Sequence, residues 1–314
     1  MPPTPFTVAV PTYNGSTHIG QAIESILAQT GVQFALIIVD DRSEDGTLDV
    51  VRSLAGDRAR IETNSERLGL AGNWNRCASL CQTPMLSIFH QDDVMPTGHL
   101  SAHERAFESD DRIGLVASAV AVIDGRGEPV PESVIDPGGL GAVDRVFKPG
   151  ELAATMARGN PLRCSAVSMR KEVLDDGHAF DPAYRYVVDW DFWLRVSRQW
   201  RVSWLAQPTV AIRWHEASET RRFKIGTDDL DETARLMDEL FRVDLAGEKN
   251  AVALRQSAER RLARAYLNRA WEAHKDGRRD LAKSSLTKGF RQSRRILAMI
   301  AADPRLWPMA LRAR

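Results

Sequence analysis

Three cysteines in 314 residues are too few, and odd in number, for a disulfide framework. Cys77 and Cys81 lie one helical turn apart, and with Cys164 they are expected to be small buried hydrophobes. No stretch approaches the ~20 apolar residues needed to cross a bilayer. The start, MPPTPFTVAV, lacks the basic region and apolar core of a secretory signal. These absences lead us to expect a reducing, cytoplasmic setting. The chain also has no net charge, with 42 Lys and Arg against 42 Asp and Glu. It contains no P-loop, and no GxGxxG follows the first apolar run, which speaks against a nucleotide hydrolase or a dinucleotide-dependent dehydrogenase.

The balance of charge is uneven along the chain. Residues 249–314 hold 17 Lys and Arg against 5 Asp and Glu, a difference of +12, so residues 1–248 carry −12. Such asymmetry suits either a basic appendage on an anionic surface or the solvated face of helices packed on an acidic body.

Short apolar runs alternate with helical periodicity. FTVAV closes on the turn PTYNG, and STHIGQAIESILAQT repeats apolar residues at Ile19, Ala22, Ile23, Ile26 and Leu27, the spacing of one helical face. Ser16 or Thr17 is expected to cap that helix and Gly31 to end it. FALIIVD, RIET, PMLSIFH and IGLVASAVAVI read as strands, separated by helices in EDGTLDVVRSLA, LAGNWNRCASLC and TGHLSAHERAFES. Unbroken apolar strands alternating with helices predict an α/β fold, a mostly parallel sheet with helices on both faces. Residues 124–150, rich in Gly and Pro, read as one long functional loop. VVDWDFWLRVSRQW then predicts a helix and RVSWLAQPTVAIRWHE a strand. From Thr227 onward Ala, Leu, Arg and Glu dominate, so we divide the chain into residues 1–226 and a basic α-helical region, 227–314. ARAYLNRAWEAHKDGRRDLAKSSLTKGF within it reads as a helix, a Gly turn and a second helix.

Ligands of parallel sheets bind beyond the carboxyl ends of the strands. The polar clusters of this chain fall there: PTYN after the first strand, DDRSEDG after the second and HQDD after the fourth. The last poses a physical question. Asp92 and Asp93 repel each other, and burying either alone costs several kcal/mol, partly relieved by a raised pKa.

VAVPTYNGSTHIGQAIESILAQT, LIIVDDRSEDGT, SIFHQDDVMPTGHL and VVDWDFWLRV, in that order, resemble the signatures of glycosyltransferase family 2 over roughly the first two-thirds of the chain. The resemblance implies a GT-A fold that binds a nucleoside-diphosphate sugar and a divalent cation, Mn²⁺ or Mg²⁺. It implies transfer of the sugar to an acceptor hydroxyl with inversion. A hard cation neutralises the leaving diphosphate, and one or two carboxylates suffice to hold it. The two aspartates then coexist because a metal and a ribose hydroxyl share the site.

By this resemblance Asp93 contacts the metal and Asp92 the ribose or the metal. His90 stands where many relatives carry a further Asp. Pro11, Thr12 and Tyr13 match the nucleotide-binding turn, and Asp41, with Asp40, the acidic pair that recognises the base. A carboxylate accepting from an imide N–H favours uracil or thymine. Gly69 permits close backbone approach, and Arg67 or Arg76 meets a phosphate or base, Arg76 being equally suited to a surface ion pair. An inverting transfer needs a carboxylate to take the acceptor proton. Asp189 falls on that base, Val188 replacing the usual Glu, and Asp191 is the alternative. Trp190 and Trp193 read as helix-packing residues, with Trp190 alternatively placed to stack on a sugar face. IRWHEAS resembles a late R-x-H-x-x-S segment, in which His215 reaches the diphosphate or metal and Arg213 supports it.

The expected partners are a nucleotide-sugar donor and a glycan or lipid-linked acceptor of bacterial surface polysaccharide, with no nucleic acid. The basic tail SRRILAMIAADPRLWPMALRAR offers Ile296, Leu297, Ile300, Leu306, Trp307 and Met309 beside arginines. It suits peripheral contact with the inner face of a membrane, or else self-association as a homodimer or packing on the catalytic domain. Two other readings compete: a catalytically silent relative acting as a scaffold, and a sugar nucleotidyltransferase, which would want a Gly-rich basic loop where PTYNGSTH stands.

Overall fold

The computed structural model describes residues 5–131, 133, 135, 139–215 and 225–303. Strand β1 (Phe6–Thr12) leads to helix α1 (Ile19–Leu27), β2 (Phe34–Asp40), α2 (Thr47–Ala55), β3 (Ala59–Thr63), α3 (Gly69–Ser79) and β4 (Met85–Ile88). Next come α4 (His99–Glu108), β5 (Ile113–Asp124), β6 (Arg145–Phe147), α5 (Ala153–Met156), β7 (Val167–Arg170), α6 (Lys171–Asp175), α7 (Val188–Ser197) and β8 (Arg201–Trp214). Four further helices are α8 (Asp228–Val243), α9 (Ala251–Lys275), α10 (Arg279–Gln292) and α11 (Ile296–Ala302).

The strands form one sheet in the order β3-β2-β1-β4-β7-β5-β8-β6. The pairs β3–β2, β2–β1, β1–β4 and β5–β8 are parallel, whereas β7 runs antiparallel to both β4 and β5, and β6 to β8. The sheet is therefore α/β and mostly parallel, as its unbroken apolar strands predict. β1 and β2 are buried along almost their whole length. Ile19, Ala22, Ile23 and Ile26 of α1 bury against them, in a core that also holds Phe89, Leu100 and Phe107.

Local details depart from expectation. Neither Ser16 nor Thr17 caps α1, whose N-cap residue is His18 with no side-chain bond. The helix stops at Leu27, before Gly31, which takes φ +82° in the turn that follows. The first helical N–H, that of Ile19, instead bonds the Gly15 carbonyl at 3.1 Å, so that donor needs no side-chain cap. The stretch 124–150 contains the edge strand β6, whose three residues are too few to show a periodicity. Cys164–Ala166 form a 3-10 turn that leads into β7. All three cysteines are free and buried.

By contacts the chain divides into two compact units, residues 1–152 with 159–216 and residues 153–158 with 217–314. In the second, α9 and α10 form the hairpin read from the sequence, turning at Gly277, φ +73°. Asp229 pairs with Arg269 at 2.8 Å, and Asp231 accepts from Tyr266 at 2.7 Å and Lys288 at 2.5 Å. Ile296, expected on a membrane-facing surface, is instead buried with Leu267, Ala270 and Leu286, and Ile300 packs partly against them; Leu297 is 64% exposed. Leu306, Trp307 and Met309 lie outside the described residues. Among the described residues no helix is long and apolar enough to cross a membrane.

Candidate active site

The carboxyl ends of β1, β2 and β4 lie side by side, so the loops that follow them are built together. Asn14 and Arg42, the non-glycine residues with positive φ among those described (46° and 63°), sit in the first two of these loops. That conformation costs most side chains free energy, and cross-loop bonds hold it. Asn14 N–H donates to Ser43 Oγ at 2.9 Å, Glu44 N–H to Asn14 Oδ1 at 2.8 Å and Gly15 N–H to Thr47 Oγ1 at 2.8 Å.

Gln91 clamps the first loop from the third. Its Oε1 accepts from Thr12 Oγ1 (2.5 Å) and Tyr13 N–H (3.0 Å), and its Nε2 donates to the Tyr13 carbonyl (3.0 Å). A Cβ on Gly15 would come within 2.1 Å of Gln91 Oε1. Gln91 thus mimics a strand partner for a backbone that has left the sheet. The sequence displays it inside HQDD, but nothing local marks it as a clamp. The Arg67 guanidinium lies 3.8 Å from the centroid of the Tyr13 ring, a cation–π contact that covers one face. Arg76, expected at the nucleotide, is 3.6 Å from Glu62 in a partly exposed ion pair.

Asp40 and Asp41 are both buried and have different partners. Asp40 accepts from Ser43 Oγ at 2.5 Å and Ser43 N–H at 3.0 Å, closing the turn after β2. Asp41 Oδ1 accepts from Asn64 Nδ2 (2.9 Å) and Leu68 N–H (2.7 Å), and its Oδ2 from Gly69 N–H (2.9 Å). It therefore satisfies the orphan N–H groups at the start of α3 from a distant strand. Three donors leave Oδ2 one acceptor direction. Gly69 has φ +73°, and a Cβ there would meet no atom within 4 Å. Backbone conformation, not crowding by the protein, is what demands glycine.

Asp92 and Asp93 follow β4 and are anchored by β8, through the bridge between Val94 and Ala211. Asp93 is 3% exposed, accepting from Ser165 Oγ at 2.5 Å and Arg213 N–H at 2.9 Å. Burial and the neighbouring Asp92 charge push its carboxyl up to about 7. Burial opposes ionisation of Asp92 too, but the His215 hydrogen bond and the His90 ring hold it below the ordinary range. His215 Nε2 lies 2.9 Å from Asp92 Oδ2, and the His18 ring stands edge-on to that of His215. Arg213 braces the motif, donating to the Asp92 carbonyl (2.8 Å), the Asp124 carbonyl (3.0 Å) and Gln21 Oε1 (2.5 Å). Ser218 of the late motif lies outside the described residues. The adjacent carboxylates thus coexist because one is pushed toward protonation and the other is paired.

Ligand atoms of His90, Asp92 and Asp93 lie within 4.8 Å of one another. Two carboxylates and an imidazole, with His90 Nδ1 4.0 Å from Asp93 Oδ2, fit a borderline divalent cation. Burial holds His90 below its ordinary pKa, against the pull of Asp92 and Asp189, so a neutral, ligating ring is available.

Asp189 and Asp191 both lie in the first turn of α7, and the structure separates them. Asp191 is buried, and its Oδ2 accepts from Arg195 Nε (2.9 Å) and Nη2 (2.7 Å). Asp189 is half-buried, accepting from Trp190 N–H at 2.7 Å and Asn160 Nδ2 at 3.0 Å. Burial raises its pKa, opposed by Trp190 N–H, Arg163, His90 and Asn160. Trp190 and Trp193 are buried packing residues.

The order of elements and the cluster beyond β1, β2 and β4 define a GT-A sheet. Two solved structures share it: S. aureus TarS 1-349 in complex with UDP (TM-score 0.57, 18% identity, 83% of this chain and 72% of that one) and the same protein with UDP-GlcNAc (TM-score 0.56, 15% identity, 92% of each). The profile of glycosyl transferase family 2 matches residues 7–177, and the chain belongs to that family. It is 28% identical over 235 residues to the uncharacterized protein MT1568 of Mycobacterium tuberculosis, covering 69% of each chain. It is 27% identical over 191 residues to the putative glycosyltransferase EpsE of Bacillus subtilis, covering 58% of this chain and 63% of that one.

Proposed function

We propose that the protein is a metal-dependent, inverting glycosyltransferase. It moves a sugar from a uridine- or deoxythymidine-diphosphate donor to a hydroxyl of a glycan or lipid-linked acceptor in bacterial surface polysaccharide synthesis. The observation that carries this reading is the cluster beyond β4, where ligand atoms of His90, Asp92 and Asp93 lie within 4.8 Å of one another. We assign Asp189, half-buried at the start of α7, to the same site, because transfer between two bound substrates needs a carboxylate beside them. Two relatives that align over parts of the chain are named for such chemistry, a succinoglycan biosynthesis protein (ExoO) and a glucosyltransferase acting on a diphosphoundecaprenol-linked sugar (WfgD).

In this reading the loop Pro11–Tyr13 holds the nucleotide, and Asp41 accepts the imide N–H of the base through its remaining acceptor direction. Asp40 maintains the turn. Asp92 and Asp93, with His90 or His215, would hold Mn²⁺ or Mg²⁺, which when bound supplies neutralisation of the departing diphosphate. Asp189 takes the proton of the acceptor hydroxyl. Asp191 does not serve, because removing its charge from Arg195 would leave a cation with no carboxylate on a mostly buried side chain. The enzyme works at the inner face of the membrane. Residues 283–302 carry five Lys and Arg and no acidic residue, and Phe290 and Leu297 are exposed among them.

The test is calorimetric titration with UDP, TDP and GDP, with and without manganese, on the wild type, Asp93→Ala and Asp189→Asn. UDP or TDP should bind with manganese, fail to bind Asp93→Ala and bind Asp189→Asn normally. Absence of nucleotide binding to the folded wild type would refute the proposal.

A further inference from the structure

The carboxylate of Asp189 is held at both oxygens. Its Oδ1 accepts from the N–H of Trp190, 2.7 Å away in the first turn of α7, and its Oδ2 accepts from Asn160 Nδ2 at 3.0 Å. The other end of the Asn160 amide is occupied too, because Oδ1 accepts the N–H of Leu162 at 3.1 Å. These two bonds make the amide orientation unambiguous. Turned over, it would face its oxygen to the carboxylate and its NH₂ to a backbone N–H, two repulsive contacts.

We propose that Asn160 is the positioning residue for Asp189, fixing the carboxylate so that one acceptor direction on each oxygen is left for the incoming hydroxyl. The inference rests on the assignment of Asp189 as the base. Chemistry at this position requires an amide. A carboxylate must be oriented within a narrow range to take a proton as the glycosidic bond forms. A single bond from its own helix would leave it free to rotate about its side-chain torsions. The second bond must come from a donor that carries no charge of its own. A lysine or arginine there would hold the carboxylate as a permanent ion pair, as Arg195 holds Asp191 two residues along the same helix. Asn160 orients without that neutralisation. It also favours the ionised form in a setting where burial disfavours it, as do Arg163 and His90; the buried Cys164 thiol is a further titratable neighbour outside α7.

Two variants separate positioning from a merely structural role. Asn160→Ala removes the donor, and Asn160→Asp keeps the shape but places a second carboxylate beside the first. Protein labelled with carboxyl-¹³C aspartate would be titrated by NMR, the Asp189 signal being assigned by its loss in Asp189→Asn; this readout needs no donor sugar. In Asn160→Ala the Asp189 titration should move up by about one pH unit, and in Asn160→Asp by more. The hydrolysis of UDP-glucose or UDP-GlcNAc, with water as acceptor, would be followed across pH where either is turned over. There the acid limb of kcat should move by the same amount and the plateau should fall about tenfold, with UDP affinity unchanged. An unmoved Asp189 titration in both variants overturns the role of Asn160, as does a rate loss matched by lost UDP affinity. If instead Asp189→Asn hydrolyses donor as fast as the wild type, the base assignment fails, and the proposal about Asn160 with it.

Discussion

Acid should weaken this protein through two imidazoles sealed beneath helix α4. His99 and His103 are buried with ring centroids 4.1 Å apart, and the Nε2 of each has no hydrogen-bond partner. His99 Nδ1 bonds Thr209 Oγ1 of β8 at 2.8 Å and His103 Nδ1 bonds Ser168 Oγ of β7 at 2.9 Å, and burial disfavours the charged form of both rings. Burial lowers His99 from the ordinary 6.5 to about 3, and His103 is lowered by burial and by His99. Because the folded pKa is depressed, the unfolded chain takes up a proton that the folded chain refuses as pH falls through 6.5. Stability is full above that value and is lost progressively down to about 3 for His99. At ~1.4 kcal/mol per pH unit, lowering the pH from about 7.5 to 5 costs about 2 kcal/mol through His99 alone. Asp93 works in the opposite direction, because its folded pKa is raised to about 7; its cost to stability falls as pH drops. The net slope of the wild type therefore says little, and the difference from His99→Gln isolates the imidazole. Urea unfolding of both proteins at the two pH values, followed by tryptophan fluorescence, should show the wild type losing about 1 M more in midpoint than the variant. Equal losses would refute the claim that a buried neutral His99 underlies the acid sensitivity.

Other outcomes follow from named contacts. Gly15→Ala should displace the Gln91 amide, releasing Thr12 and Tyr13; we expect a loss of about 1–3 kcal/mol by chemical denaturation and weaker UDP binding by calorimetry. Arg195→Ala should destabilise by about 2–3 kcal/mol, because a buried Asp191 loses its cation, while leaving UDP affinity intact; a loss of affinity would argue against a purely structural Asp191. Asp189→Asn should reduce sugar transfer or donor hydrolysis by about 10²–10⁴-fold without changing the unfolding midpoint in step. Co-sedimentation with vesicles containing phosphatidylglycerol should be lost when Arg291, Arg294 and Arg295 are all replaced by Gln, and should fall as salt rises.

Much of the fold is legible in the chain because local pattern and global need agree. Apolar runs bounded by turn residues mark β1, β2, β4 and β5, and the 3.6-residue period marks α1 and the α9–α10 hairpin, since sheet and helix cores demand those spacings. The polar ends of β1, β2 and β4 point to the site for the same reason: polar side chains at the carboxyl edge of a parallel sheet have no core to fill. Features made by distant partners, or by the choice among several local ones, are not legible. Asp40 and Asp41 look alike in sequence, but only the fold gives Asp41 the N–H groups of α3 and Asp40 the Ser43 turn. Asp189 and Asp191 are alternatives until Arg195 claims one and Asn160 the other. Gln91, Asn160 and Ser165 carry no signal, because a neutral polar side chain announces its role only through the partner it meets. Ile296 looks like a membrane anchor beside arginines and proves to be core, because α9 and α10 need an apolar residue to close over Leu267. The sequence by itself determined the strands, the helices and the edge where the polar loops gather, since these depend on neighbours within a few residues. Only the tertiary structure decided which carboxylate is paired, which is raised toward protonation and which is left half-buried at a helix start, because those depend on burial and on the partners that folding brings to each carboxylate, His215 and Arg213 arriving from more than a hundred residues away.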